Sequence, residues 1–522
     1  MIEGLVLAAG SALLGGALAL LARRRASLLE LTRTFAFTAA AGVVAFHLLP
    51  EVLPALGPTA LLWIAAGFVL PWLLEVGARA LGPDLLARWG IQGMRVAAEV
   101  GFAALIFHSL FEGLALLAAL QGRENRTDLE IAIVAHHAPL TAAVALPFLD
   151  LLGVRATLIR VGLVALAGGL GVVFGNLLPG LASGADTVAL QRATAVTAGA
   201  LLHVVADEIR EQRFTSVAQR ALDLLAAAAG LSLVGLAVFL DVRTTDSVLR
   251  FFRTATALAL GVAPALVASM AAEVLERRHT LLHRLRAPFD GLFATGALLG
   301  WPAAAIRAAL TAVVAAPRLL DREAAPGPPP SLADDLARRG PWLVALLFLA
   351  ASVDVLAPPA WFATLGPGGI VVVAVSLAVA ARASASGAAL VACALVHRGL
   401  PAGMALPFLA LGALPSRRTA RSALIAVPAF AVALAAGAAL ERVPFLREVA
   451  RTATSVLARA NRPVLEQLAA APAGTACMTL LVALALALAL RSGVRGWFAP
   501  FRHANGHDHE AHAHEHAPAA AR

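Results

Sequence analysis

Apolar stretches long enough to cross a bilayer recur along the chain from its first residues to about residue 491. A helix needs about 20 mostly apolar residues to span the hydrocarbon core. In the first half the pattern predicts about eight such helices, separated by short polar segments. Their predicted bounds are 2–21, 33–56, 59–80, 95–120, 129–151, 157–182, 189–210 and 220–240. We therefore expect an all-α, polytopic transmembrane helix bundle.

The second half is less regular, and roughly six to eight membrane segments fit it. A helix near 251–274 is followed by a basic loop, and the polar, proline-rich stretch 321–340 predicts a linker. Residues 385–415 are interrupted by Gly and Pro, which is compatible with a re-entrant hairpin. Buried charges are sparse there: Glu273 and Asp354 are the candidates, and either could be a paired helix end.

Towards the end of the chain the hydrophobic pattern changes twice, first to an arginine-bearing segment and then to a last apolar run. Residues 441–470 carry arginines at helical spacing and are expected on the membrane surface, ahead of a last span at 472–491. The organisation predicted from these patterns is a first domain, a second membrane domain and a disordered tail, at 1–245, 246–499 and 500–522.

Composition agrees with the membrane interpretation. Of the 522 residues, 60% are hydrophobic and 14% are charged, and the mean hydropathy is +0.82. The net charge of +9 comes from arginines between the apolar runs, which is typical of loops held on the cytoplasmic side and not of nucleic-acid binding. The arginine- and alanine-rich, lysine-free composition indicates a bacterial protein, so we expect the bacterial inner membrane. Cys393 and Cys477 lie in apolar runs and predict no disulfide.

Within the predicted apolar helices, ionisable residues recur in pairs that are four positions apart. Three predicted helices pair a histidine with a carboxylate four residues later, which places both on one helix face. These pairs are His47 and Glu51, His108 and Glu112, and His203 and Asp207, the last followed by Glu208. The fifth helix adds His136 and His137. One such pair is more often a packing contact than a metal ligand set, but three pairs with a double histidine favour a path for divalent transition-metal ions.

The first half resembles ZIP-type metal-ion transporters over about residues 1–240. The matching stretches are "FHLLPE", "HSLFEG", "HHAP" and "AGALLHVVADEI". The resemblance implies an eight-helix transporter that moves zinc, iron or related divalent ions towards the cytoplasm. It implies metal-ligand positions at His108, Ser109, Glu112, His136 and His137. It also implies a transport route lined by His47, Glu51, His203 and Asp207.

This sequence departs from the family where a carboxylate usually bridges two metals, because Leu140 follows Pro139. The stretch "LAGGLGVVFGN" of the sixth helix also offers no carboxylate. We therefore expect at most one site, made by His108, Glu112 and His136, with His137 or water completing it.

The second half more faintly resembles a bacterial permease family of uncharacterised or metalloid-efflux type, through "ASGAALVACALVHRGLPAGMALPFLALGALPS". Thiol-based metalloid chemistry is not supported, since "ASASG" stands where that family has cysteines. A hydrophobic repeat of the kind many transporters carry remains the alternative. An earlier copy, "FDGLFATGALLGWPAAA", would make the unit an internal duplication.

The tail "HANGHDHEAHAHEHAP" is dense in histidine and predicts a disordered, weak metal-binding segment. Its histidines are His503, His507, His509, His512, His514 and His516. Arginines just before it place it on the cytoplasmic side.

Among divalent metal ions, we expect zinc to be the substrate. The lipid bilayer is the expected surroundings of the chain, and the sequence leaves open whether it forms a homodimer. We expect no enzyme activity. Two alternatives remain: an intramembrane zinc hydrolase, with Glu112 or Asp207 as general base, and a membrane metal sensor or partner protein that transports nothing.

Overall fold

The computed structural model is built from α-helices, and no strand occurs among the residues it describes. Those residues are 2–23, 25–57, 59–80, 93–121, 126–177, 187–207, 214, 216–240, 242–276, 291–320, 332–358, 366–413, 420–440, 442–444 and 446–503. The chain divides into two compact units, Met1–Val248 with Ala489–Arg522, and Leu249–Leu488.

The helices of the first unit follow the predicted apolar runs within a few residues, apart from an earlier start of the second helix. They are α1 (Ile2–Ala22), α2 (Ala26–Val43), α3 (Leu49–Leu56), α4 (Thr59–Ala80), α5 (Gly93–Gln121), α6 (Arg126–Leu177), α7 (Thr187–Asp207) and α8 (Val217–Leu240).

Two of these helices are irregular. A π-helical turn, Val44–Leu48, joins α2 to α3, and the amide of Leu49 donates to the carbonyl of Val44. Pro50 follows directly and has no amide hydrogen, so the usual four-residue bond to Phe46 cannot form. In α6 the helical conformation breaks at Gly153, with φ 76°. The predicted fifth and sixth helices are therefore the two parts of α6.

Small residues bring the helices around the predicted site close together. α1, α5 and α6 pack against one another. A Cβ atom on Gly113 of α5 would lie 2.2 Å from the carbonyl oxygen of Gly168, and one on Gly171 of α6 would lie 2.1 Å from that of Leu110. Only glycine permits this approach, which is typical of membrane helix pairs.

The residues after the last long helix return to the first unit. They form α20 (Val494–Trp497) and α21 (Pro500–His503), and we call residues 494–503 the C-terminal strap. Buried Arg495 contacts the carboxylate of Glu30, and the amide of Val494 donates to buried Asp223 at 2.7 Å. The strap therefore crosslinks α2 and α8.

The helices of the second unit vary widely in length. They are α9 (Val242–Glu276, whose first residues belong to the first unit), α10 (Leu292–Leu299), α11 (Trp301–Leu320), α12 (Leu332–Leu356), α13 (Pro367–Ala383), α14 (Ala385–His397), α15 (Ala402–Ala410), α16 (Ala420–Leu440), α17 (Leu446–Leu457), α18 (Val464–Ala470) and α19 (Pro472–Ser492).

Buried α14 is the centre of this unit, packed against α10, α12, α13 and α17. Both α10 and α14 end at a glycine with positive φ, Gly300 at 92° and Gly399 at 105°. Two residues after each glycine stands a proline at the start of the next helix: Pro302 is the second residue of α11, and Pro401 directly precedes α15. The two stretches noted as a possible internal duplication share this glycine and proline spacing.

Two segments of the second unit differ from expectation. Helix α12 begins at Leu332, inside the stretch predicted as linker, because "LADDLARR" lacks helix breakers and its aspartates favour a helix start. In α17, the segment expected on the membrane surface, the apolar face packs into the core of the unit through Leu446, Val449, Ala453, Val456 and Leu457.

Among the described residues, seven helices are long and apolar enough to cross a membrane. They cover Ile2–Ala22, Ser27–Leu56, His137–Leu177, Val217–Ala237, Asp246–Ala272, Leu336–Leu356 and Pro472–Ser492. Large apolar side chains remain exposed on these helices, as expected of lipid-facing surfaces. The prediction of an all-α transmembrane bundle is confirmed.

Candidate functional site

Four of the predicted ligand residues come together where α5 packs on α6. His108, Ser109 and Glu112 lie on consecutive turns of α5, and His137 lies on α6. The rings of His108 and His137 are 6.4 Å apart between centroids. His137 and Ser109 are each 1% exposed, so the helices enclose these two side chains, whereas Glu112 is 18% exposed.

His108 and Glu112 are close without forming a normal hydrogen bond. His108 Nε2 lies 3.7 Å from Glu112 Oε2, beyond the usual hydrogen-bond range of about 2.7–3.2 Å. Two ligand atoms of a tetrahedral zinc ion with bonds of about 2.1 Å lie roughly 3.4 Å apart. The separation of the pair therefore suits a shared cation with little movement.

His137 is held between two serine hydroxyls. Its Nε2 lies 2.8 Å from Ser109 Oγ on α5, and its Nδ1 lies 2.7 Å from Ser11 Oγ on α1. Ser11 also donates to the carbonyl of Ala8 at 3.2 Å. Three helices thus fix one imidazole ring, and Ser11 is a site residue that the sequence analysis missed.

Leu140 lies fully buried one turn after His137. It occupies the position at which the family pattern would supply a bridging carboxylate, so an apolar side chain fills that part of the interior. Thr141, the next residue, donates its hydroxyl to the carbonyl of His137 at 3.0 Å. That hydroxyl therefore forms its hydrogen bond within its own helix, α6.

The predicted route residues within the described part of the chain lie in the π-helical turn, in α3 and in α7. His47 lies in the π-helical turn, a feature frequent at functional positions. Exposed Glu51 accepts a bond from Gln191 of α7 at 3.3 Å. His203 of α7 lies edge-on against Phe68 of α4, with ring centroids 5.4 Å apart. These contacts place His47, Glu51 and His203 on helices that pack against each other.

Several predicted residues fall outside what the structure describes. His136 lies in α6 and Asp207 ends α7, but their side chains are among those not described, as is that of Glu273. Glu208 and the tail residues from 504 onwards lie outside the described residues, and only the backbone of His503 is described. Within the described set, which lacks His136 and Asp207, no three His, Cys, Asp or Glu side chains form a group that could hold a metal.

The second unit contains a separate buried ionic cluster. Asp354 of α12 accepts bonds from Arg398 Nε at 3.1 Å and Thr254 Oγ1 at 3.2 Å. His397 Nε2 lies 3.6 Å from the same carboxylate. Asp354 is therefore a paired charge near a helix end, one of the two possibilities that the sequence left open.

Comparison of the chain with protein-family models, with curated proteins and with solved structures finds no match.

Proposed function

We propose that the first unit transports divalent transition-metal ions, zinc foremost, through a single intramembrane site. The observation that carries this proposal is the enclosed group of His108, Glu112 and His137 on two tightly packed helices. Ionisable residues inside a membrane bundle are costly and usually mark ion pathways. Imidazole and carboxylate ligands suit zinc and related ions without thiolates.

A purely structural role explains the same residues less well. A direct structural contact between His108 and Glu112 would be expected to bring their side chains to hydrogen-bond distance, about 2.7–3.2 Å. Their separation of 3.7 Å instead leaves space for an ion between the two ligand atoms. His137 faces the same helix, with its ring centroid 6.4 Å from that of His108, so it would become a third ligand only after the side chains move closer together. His136 or a water molecule would complete the coordination.

One ion, not two, follows from the apolar residues around the site. Leu140 is buried at the bridging position, and the second part of α6 carries no carboxylate after Gly153. A second cation there would lack the oxygen ligands that offset the loss of its hydration. The proposed site therefore holds a single metal ion during each transport step.

The histidine tail would serve as a weak store for the ion. Six histidines within residues 503–522 would raise the local concentration of metal ligands near the site. By the arginine pattern the tail is cytoplasmic in a bacterial inner membrane, where it would receive ions leaving the site. Deleting residues 503–522 should then change release or weak binding but not tight binding in the core.

The test is zinc flux into proteoliposomes that contain the purified protein and an internal zinc indicator. We expect flux in the wild type and its loss in His108→Ala and His137→Ala. His397→Ala is the matched control, because this histidine belongs to the second unit and should leave flux unchanged. Zinc binding without flux would instead favour the sensor role, and absence of both would contradict the proposal.

A hydrolase role has one observation in its favour. The 2.8 Å contact between Ser109 Oγ and His137 Nε2 resembles an activated serine with its base. Ser109 lies in the middle of α5, however, where neighbouring amides donate within the helix and do not form an oxyanion hole. We therefore place transport first, and turnover of a lipid ester or amide by the purified protein would reverse that order.

A further inference from the structure

The hydrogen bonds around His137 favour one of its two tautomers. The hydroxyl of Ser11 has one hydrogen, and it donates that hydrogen to the carbonyl of Ala8. Ser11 Oγ therefore accepts from Nδ1–H of His137 across 2.7 Å. In neutral imidazole the other nitrogen is then an acceptor, so Nε2 receives the hydroxyl hydrogen of Ser109.

This assignment gives the two nitrogens different tasks. A histidine binds a metal through a nitrogen lone pair, while the other ring N–H is usually fixed by an acceptor that sets the tautomer and orientation. The lone pair of His137 is on Nε2, and it points towards α5, the helix that carries His108 and Glu112. Ser11 on α1 supplies the acceptor on the opposite side of the ring.

We propose that Ser11 and Ser109 act on the metal site in opposite directions. Ser11 is a positioning residue that keeps His137 in the Nδ1–H tautomer. Ser109 is a latch: its hydroxyl occupies the Nε2 lone pair while the site is empty, and it must rotate away before a metal binds. This inference rests on the proposed transport function, and it replaces the expected ligand role of Ser109 with a competing hydrogen bond.

The burial of the group supports separate roles. Ser11, Ser109 and His137 are all at most 2% exposed, so bulk water does not compete for their hydrogen bonds. Loss of a residue that hydrogen-bonds a metal ligand typically lowers metal affinity about 10- to 100-fold. Loss of a competing neutral hydrogen bond of ordinary net strength should raise affinity about fivefold. The two serine variants are therefore expected to change zinc affinity in opposite directions.

The test uses the full chain with the six tail histidines changed to asparagine, so that tail binding does not mask the core. Zinc affinity is measured by competition with a chromophoric chelator. We expect Ser11→Ala to weaken zinc binding about 10- to 100-fold and Ser109→Ala to strengthen it about fivefold. Weaker binding in Ser109→Ala would show that Ser109 is a ligand and would overturn the latch.

A second readout follows the tautomer directly and does not depend on folding stability. Ring-nitrogen chemical shifts of ¹⁵N-histidine protein in bilayers distinguish the two tautomers, and His137→Gln identifies the signal of His137. We expect Nδ1–H in the metal-free background and in Ser109→Ala, and a gain of Nε2–H in Ser11→Ala. Nε2–H in a chain that binds zinc would overturn this inference alone. A chain that binds no zinc, whatever its tautomer, would overturn the transport function on which the inference rests.

Discussion

Each unit contains buried polar groups, but the two arrangements differ in the distances between those groups. In the second unit Asp354 is paired with Arg398 and Thr254 at hydrogen-bond distance, so its charge is compensated. In the first unit the atoms of His108 and Glu112 stand 3.7 Å apart, and His137 is held by neutral serines. A buried ion pair at hydrogen-bond distance holds helices together, whereas the wider spacing of His108 and Glu112 would suit a shared cation, as the proposed function requires. The variants below test this difference.

The largest effect on stability is expected at Asp354. Removing one partner of a buried ion pair costs about 3–5 kcal/mol, and part-exposed Arg398 places the effect of Asp354→Ala near the lower end. Asp354→Asn keeps an oxygen acceptor and should lose only about 1–2 kcal/mol. The measurement is the free energy of unfolding in a denaturing detergent. Equal stability of both variants and the wild type would show that the pair does not stabilise the second unit.

His108→Ala is expected to change zinc affinity more than it changes the free energy of unfolding. Zinc affinity should fall at least 100-fold, equivalent to about 2.7 kcal/mol of binding free energy. The free energy of unfolding without metal should change by less, since His108 makes no short bond to Glu112. Isothermal titration with zinc measures the first quantity, with His397→Ala as control. A large loss of stability with unchanged affinity would make the pair a structural contact.

A substitution in the C-terminal strap is expected to have an intermediate effect on stability. Arg495 is buried and contacts Glu30, which also binds Arg33 Nη1 at 2.9 Å. Arg495→Ala should cost about 2 kcal/mol, because Glu30 keeps Arg33 as partner. Arg495→Lys keeps the charge and should lose less. Amide hydrogen exchange of residues 489–503 measures the change, and wild-type protection in Arg495→Ala would contradict an anchoring role.

The smallest effect is expected at Glu51. Its carboxylate is exposed, and its bond to Gln191 is long at 3.3 Å. Exposed polar pairs contribute about 0–1 kcal/mol. Glu51→Gln should therefore leave stability and equilibrium zinc affinity within about twofold of the wild type. A tenfold loss of affinity in the same titration would place Glu51 in the tight site instead of along the route.

The sequence predicted the helices of the first unit well because each apolar run is long and ends at arginine, glycine or proline. The break at Gly153 falls between the predicted fifth and sixth helices for the same reason. The start of α12 was harder to predict, because hydropathy alone assigns "LADDLARR" to a polar linker.

The candidate site was only partly predictable. His108, Glu112 and His137 stand out because ionisable residues are rare in apolar helices. Ser11 does not, because serine is common among the small residues that let membrane helices pack. Its role depends on α1 lying against α6 at the level of His137, and no local pattern encodes that packing. Ser11 lies one turn before Gly15, where a Cβ atom would lie 2.3 Å from the carbonyl oxygen of Ala138 on α6. Its spacing from this small residue is the only signal for Ser11 that the sequence offers.

The most direct test of the single-site proposal is the number of zinc ions bound tightly per chain. Elemental analysis after gel filtration would be done on the full chain with its six tail histidines changed to asparagine, and on the same chain carrying His108→Ala. We expect one zinc ion per chain in the first and close to none in the second. Two tightly bound ions, or one ion that persists in His108→Ala, would contradict a single site built on His108, Glu112 and His137.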